Sequence, residues 1–274
     1  MLKINNLYKS FNGLKILKGI DAEFKNGETS LVIGQSGSGK TVLLKCLLGL
    51  YNYESGDIIY GNKNLKDLND NNKMMLKSKI GTVFQGSALF DSMNIEENVM
   101  FPLKMFTNYT NDEILDRVNL VLKRVNLINV NKKMPSEASG GMQKRVAIAR
   151  AIVNNPEYLF CDEPNSGLDP KTAIVIDNLI KEITIEYNIV TVINSHDMNS
   201  VMEIGDKIIF LENGLKNGKG ARIIFSKLTT AQLLILYTPQ IFIKRSESRI
   251  TNSYNCLLIN IESRFNLYFN HFSN

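Results

Sequence analysis

The chain has 274 residues, of which 44% are apolar and 22% charged, a composition that excludes wholesale disorder. No run of eighteen apolar residues occurs, so no membrane-spanning helix is expected. The net charge of +5 is uneven: residues 1–215 carry 24 basic and 25 acidic side chains, whereas residues 216–274 carry 8 and 2, so a nucleic-acid footprint spread over the fold is not supported.

Along the chain, apolar fragments at 2–4, around Phe24 and at 58–60 suggest an antiparallel sheet near the start. Short apolar runs at 31–33, 80–84, 158–161, 189–193 and 208–211 read as buried strands. Residues 41–48 read as a helix directly after the first run, and in 171–187 Ile176, Leu179, Ile180 and Ile183 share one helical face. Residues 87–153 break the alternation. There Ile114, Val118, Val121, Leu122 and Val125 form a helical stripe, and 139–153 reads as a second helix. The expected class is therefore α/β, with a parallel sheet covered on both faces and an inserted helical segment. The start, MLKINNLYKS, lacks an apolar signal core, so export is not expected. Cys46, Cys161 and Cys256 are too widely spaced for a disulfide framework or a metal cluster, which fits a reducing cytosol.

Two segments carry chemistry. Gly34-Gln35-Ser36-Gly37-Ser38-Gly39-Lys40-Thr41 fits the phosphate-loop pattern between an expected strand and an expected helix. Its glycines let backbone N–H groups turn inward onto phosphate oxygens at a helix N-terminus. Lys40 can reach the β- and γ-phosphates, and the Thr41 hydroxyl can ligate Mg²⁺. Further on, the apolar strand Tyr158-Leu-Phe-Cys ends in Asp162 and Glu163. Ligands of open parallel sheets sit at the C-terminal strand ends, so Asp162 is expected at the Mg²⁺. Glu163 is expected to be the base for the attacking water.

The segment Ser139-Gly140-Gly141-Met142, followed by Lys144-Arg145 and Ala147-Ile-Ala-Arg150-Ala151, resembles the signature of the ATP-binding cassette (ABC) ATPases. Gln85, Ser166-Gly167-Leu168-Asp169 and His196 fall in that family's order, and the resemblance covers about residues 1–215. It implies an ABC-type nucleotide-binding domain: a parallel-sheet core with a phosphate loop, an antiparallel β subdomain and a helical subdomain at about 87–153. It also implies ATP hydrolysis with Mg²⁺, in which Gln85 senses the metal and water and His196 lies near the γ-phosphate. Ser139, Gly140, Gly141 and Met142 would complete the site of a second protomer, and Asp169 would contact that protomer's phosphate loop. One chain carries one loop and one signature, so a sandwich homodimer binding two ATP is implied. For adenine stacking Phe11 and Tyr8 both qualify, and family spacing to Lys40 favours Phe11. Ala138 and Met142 stand where most of the family has Leu and Gln, and Met142 lacks a side-chain amide.

Residues 83–99 and 134–142, Met142 included, look like the ATPase of Mla-type phospholipid transporters that work with MCE-domain proteins. That likeness implies an integral-membrane permease, a lipid-binding MCE partner, and a place on the cytoplasmic face of the inner membrane. The alternative is the ATPase of another ABC transporter, such as a small-solute importer. A non-transport role on DNA or ribosomes is disfavoured, as no basic groove, second cassette or long coiled coil is present. Ala88, Leu89, Phe90, Met93 and Val99 are expected to form an apolar groove for a permease helix. Residues 216–274 differ abruptly, with apolar clusters at 233–236 and 241–243 separated by Pro239. A membrane-surface arm, a partner-binding extension and a frameshift near Lys216 compete there, and the abruptness favours the frameshift.

Overall fold

The structure, a computed structural model, describes residues 1–211 and the short strand Arg222–Ile224. The expected character of the tail beyond residue 215 therefore lies almost wholly outside the described residues.

The chain opens with a hairpin, β1 (Leu2–Phe11) and β2 (Leu14–Phe24), and then enters a buried strand, β3 (Thr29–Ile33), and a helix, α1 (Lys40–Leu47). Next come β4 (Ser55–Tyr60), β5 (Lys63–Asn64), α2 (Asp70–Ser78) and β6 (Ile80–Val83). Three helices follow, α3 (Ile95–Phe106), α4 (Asn111–Arg124) and α5 (Gly140–Ile152). The chain returns to the sheet through β7 (Tyr158–Asp162), α6 (Pro170–Glu186), β8 (Val190–Asn194), α7 (Met198–Ile204), β9 (Lys207–Phe210) and β10 (Arg222–Ile224).

These strands make two sheets. β2-β1-β4-β5 is antiparallel, with Leu2 opposite both Phe24 and Tyr60. β10-β9-β3-β8-β7-β6 is parallel except for its last-added edge, where Arg222 pairs antiparallel with Phe210. Every residue of β3 and β8 is buried, as expected of central strands covered on both faces. Side chains from both sheets and α1, among them Phe24, Leu43, Leu47, Ile58 and Phe160, share one core.

The alternation expected from sequence is present, with two extensions. The helical insertion holds a further helix, α3, ahead of the two expected ones. Its start is fixed by a capping box in which Asn94 and Glu97 exchange bonds with each other's backbone N–H, and Thr110 and Glu113 do the same for α4. In addition, the core sheet continues past residue 215, because β10 is one of its strands.

Candidate active site

The phosphate loop joins the end of β3 to the start of α1. Gly39 has a φ of +105°, a region open to glycine, and a Cβ there would lie 3.1 Å from Ile16. Lys40 is buried, and its Nζ donates to the carbonyls of Gly34 at 2.8 Å and Gln35 at 3.1 Å. Burial lowers its pKa, while the nearby carboxylates of Glu163 and Asp162 act in the opposite direction. The lysine is therefore near enough to the acidic strand end to feel its charge.

That strand end is a connected set of polar groups. Asp162 Oδ1 accepts from Asn194 Nδ2 at 2.9 Å, a neighbour on β8 that sequence reasoning did not single out. Glu163 lies in the left-handed region at φ +49°, a costly conformation for a residue with a side chain. Its N–H donates to the Asn194 carbonyl at 3.0 Å. One oxygen of its carboxylate accepts from Gln85 Nε2 at 2.8 Å, and the other lies 2.9 Å from His196 Nδ1. Gln85 and His196, 111 residues apart in the chain, thus meet on one carboxylate. Gln85, Glu163 and His196 are thus in contact, with Asp162 next in the chain and Lys40 within reach of both carboxylates' charge.

The residues fit a nucleotide with a hard divalent cation. Thr41, Asp162 and Gln85 offer hydroxyl, carboxylate and amide oxygen, the donor types such a cation takes. Ser38 Oγ and Asn194 Oδ1 are buried and bond nothing in the protein, which leaves two polar atoms open for a ligand. When bound, Mg²⁺ neutralises phosphate charge. The chain itself offers phosphate oxygens the loop's N–H groups and the Lys40 ammonium as donors, and at Glu163 it offers a carboxylate able to accept a proton.

The signature residues sit elsewhere. Ser139 is the N-cap of α5, and its Oγ accepts from the Met142 N–H at 3.3 Å. With Gly140, Gly141, Met142, Arg145 and Asp169, Ser139 lines a concavity of about 730 Å³ that includes no phosphate-loop residue. Asp169 caps α6, accepting from the Thr172 N–H at 3.1 Å, and the Thr172 hydroxyl first, with that N–H second, holds its carboxyl below the usual range. Within one chain the phosphate loop and the signature do not meet. Gln143, one residue past Met142, donates its amide to the carbonyls of Pro135 and Ala138. Phe11 lies at the hairpin end, its ring 5.3 Å from that of Tyr51 and 4.7 Å from the Lys9 ammonium. Tyr8 instead packs over β2, where a Cβ on Gly19 would come within 2.8 Å of its hydroxyl.

The expected groove exists but with different walls. A cleft of about 540 Å³ is lined by Leu50, Phe84, Ala88, Phe90, Phe101 and Met105, among others. Leu89, Met93 and Val99 are not part of it. Val99 is fully buried within the helical segment, because it lies on the inward face of α3. Two residues with no earlier role tie the loop beside the groove to α5. Lys144 Nζ donates to the Gln85 carbonyl at 2.7 Å, and Arg150 donates to the carbonyls of Ser87 and Ala88.

The family profile described as ABC transporter matches residues 17–166. The methionine import ATP-binding protein MetN of Campylobacter jejuni is 38% identical over 239 residues, which cover 81% of this chain and 70% of that protein. MetN of Clostridium tetani is 40% identical, covering 77% and 66%. The probable ribonucleotide transport ATP-binding protein mkl of Mycobacterium tuberculosis is 37% identical, covering 76% of this chain and 58% of its own length. Among solved structures, the dimeric ABC transporter cassette MJ0796 aligns with a TM-score of 0.74 at 32% identity, covering 84% of this chain and all of that one. A post-hydrolysis dimer of the same cassette bound to ADP and Pi aligns equally well.

Proposed function

Since the chain belongs to the ABC transporter family and is an ATPase of it, we propose that it drives a membrane importer of a small solute. It works as a pair of identical subunits on the cytoplasmic face of the cell membrane, docked beneath an integral-membrane permease. The observation that carries the cargo class is the identity of 37–40% with methionine import ATPases over about three quarters of this chain. Among the described residues no helix is long and apolar enough to cross a membrane, which accords with a separate permease. Pairing is supported by the separation of loop and signature in one chain, since each half needs its complement from a second copy. Phosphate is gripped by residues 34–41, Phe11 stacks on the base, and Glu163 takes the proton from water. Gln85 and His196 orient that carboxylate. The apolar cleft beside Gln85 receives the permease helix, so its filling is felt one residue from the site.

A phospholipid cargo with an MCE-domain partner is the second reading. It rests on residues 83–99 and 134–142 and on Met142 in the signature, and the relatives favour the small-solute reading over it. Gentle solubilisation of native membranes around an N-terminally tagged chain, followed by mass spectrometry, separates the two. A permease with a solute-binding protein is the expected result. An MCE-domain protein with bound phospholipid would replace the small-solute reading.

A further inference from the structure

Asp177, on α6, is the most deeply buried carboxylate among the described residues, 3% exposed, and the nucleotide site makes no use of it. Asn165 Nδ2 donates to Asp177 Oδ2 at 3.2 Å and to Ser200 Oγ at 2.7 Å. The Ser200 side chain in turn hydrogen-bonds Asp177, which closes a buried triangle. Its corners belong to three segments: the loop that leaves Glu163 and ends at Asp169, helix α6, and helix α7 just beyond His196.

Apolar side chains of similar volume would pack α6 against α7 without removing a charge from water, and such replacements are often neutral or stabilising. A carboxylate here opposes that economy. Burial raises its pKa to about 6, against the Ser200 and Asn165 donors, and the like charges of Asp197 and Glu203 add to the rise. Cys161, on β7, is the other titratable group it acts on. What the triangle supplies is a further fixed tie between two segments that also meet where Glu163 bonds the Asn194 carbonyl and His196.

We propose that Asn165, Asp177 and Ser200 are positioning residues for ATP hydrolysis, locking the Glu163–Asp169 loop to the segment that carries His196. The lock keeps the carboxylate and imidazole, 2.9 Å apart, in register, and it ties the movement of Asp169 to theirs. This inference rests on the roles given above to Glu163 and His196.

Steady-state ATPase measurements on the full chain test it. In Asp177→Leu, kcat falls about tenfold while KM for ATP stays within about twofold, since a misplacement of about 1 Å costs up to ~100-fold in rate. Ser200→Ala lowers kcat by less. Added to Asp177→Leu it changes kcat less than about twofold, because the triangle is already open. Asp177→Asn recovers most of the rate, since its amide still bonds both partners, and it lacks the part of the pH dependence near pH 6 that Asp177 causes. Wild-type kcat in Asp177→Leu or Asn165→Leu, or a pH profile in Ser200→Ala identical to wild type, overturns the proposal. Glu163→Gln is measured alongside. If it turns over normally, the role of Glu163 fails; if it stalls while the triangle variants match wild type, only the lock fails.

Discussion

Replacing Asp177 by Asn makes the cost of its burial measurable. The group has a folded pKa raised from 3.8 to about 6, with desolvation as the first cause. Below pH 3.8 it is protonated in both folded and unfolded chains and makes no difference. As pH rises between those values the unfolded chain releases the proton first, so stability falls, and it levels off above about 6. Each tenfold change in proton affinity is worth about 1.4 kcal/mol, so the full loss is about 3 kcal/mol, of which roughly 1.5 kcal/mol falls between pH 5 and 8. An Asn at 177 does not titrate. Urea unfolding of both proteins at several pH values isolates this one group, because every other titration cancels in the difference. Relative to the wild type, Asp177→Asn gains about 1.5 kcal/mol from pH 5 to pH 8, a midpoint change of about 0.5–1 M urea at typical slopes. A difference constant across that range, within about 0.3 kcal/mol, would refute the reasoning, for Asp177 would then titrate as an exposed carboxylate does.

Four other outcomes follow from the site and the core. Glu163→Gln retains ATP binding and loses turnover by about 100-fold or more, since a neutral amide is a poor base; single-turnover kinetics with bound-nucleotide measurement reads both. Lys40→Ala weakens ATP binding or turnover, and unchanged ATP kinetics would count against the loop's assignment. Lys144→Met strips the Gln85 carbonyl of its charged donor and destabilises the protein by about 1.5–3 kcal/mol, with kcat reduced and the unfolding midpoint lowered together. Leu103→Ala, at a fully buried position on α3, costs about 2–5 kcal/mol in chemical unfolding while leaving KM for ATP unchanged.

The core sheet was legible because its central strands are covered on both faces and so read as unbroken apolar runs. The first sheet was legible only in fragments. β1 alternates irregularly and shifts register three times against β2, so its period-two signal breaks within a few residues. α2 has no buried residue and therefore no stripe to detect. α3 carries Pro102 in its interior, a residue that argues against a helix when read locally. At the site, Lys40, Asp162 and Glu163 follow from a loop pattern and a strand end. Lys144, Arg150, Asn165 and Asp177 do not, because their meaning lies in partners brought near by folding: Lys144 and Gln85 are 59 residues apart. Val99 was misplaced for the same reason, since apolar character alone does not tell which face of a helix looks inward.

The fastening of the Gln85 loop to α5 has a mechanical consequence. Ser87 and Ala88 both hold positive φ, +63° and +46°, which persists only where neighbours over-determine it. Here Arg150 grips both their carbonyls, and Lys144 grips the one at Gln85. The same helix begins at the signature glycines, about 15 Å of rigid rod from Gly140 to Arg150. A push on the cleft therefore travels with little backlash: it cannot spend itself in a slack loop, and it arrives at the far end of the rod as a displacement of the signature glycines. The cleft wall and the signature thus move as a single part.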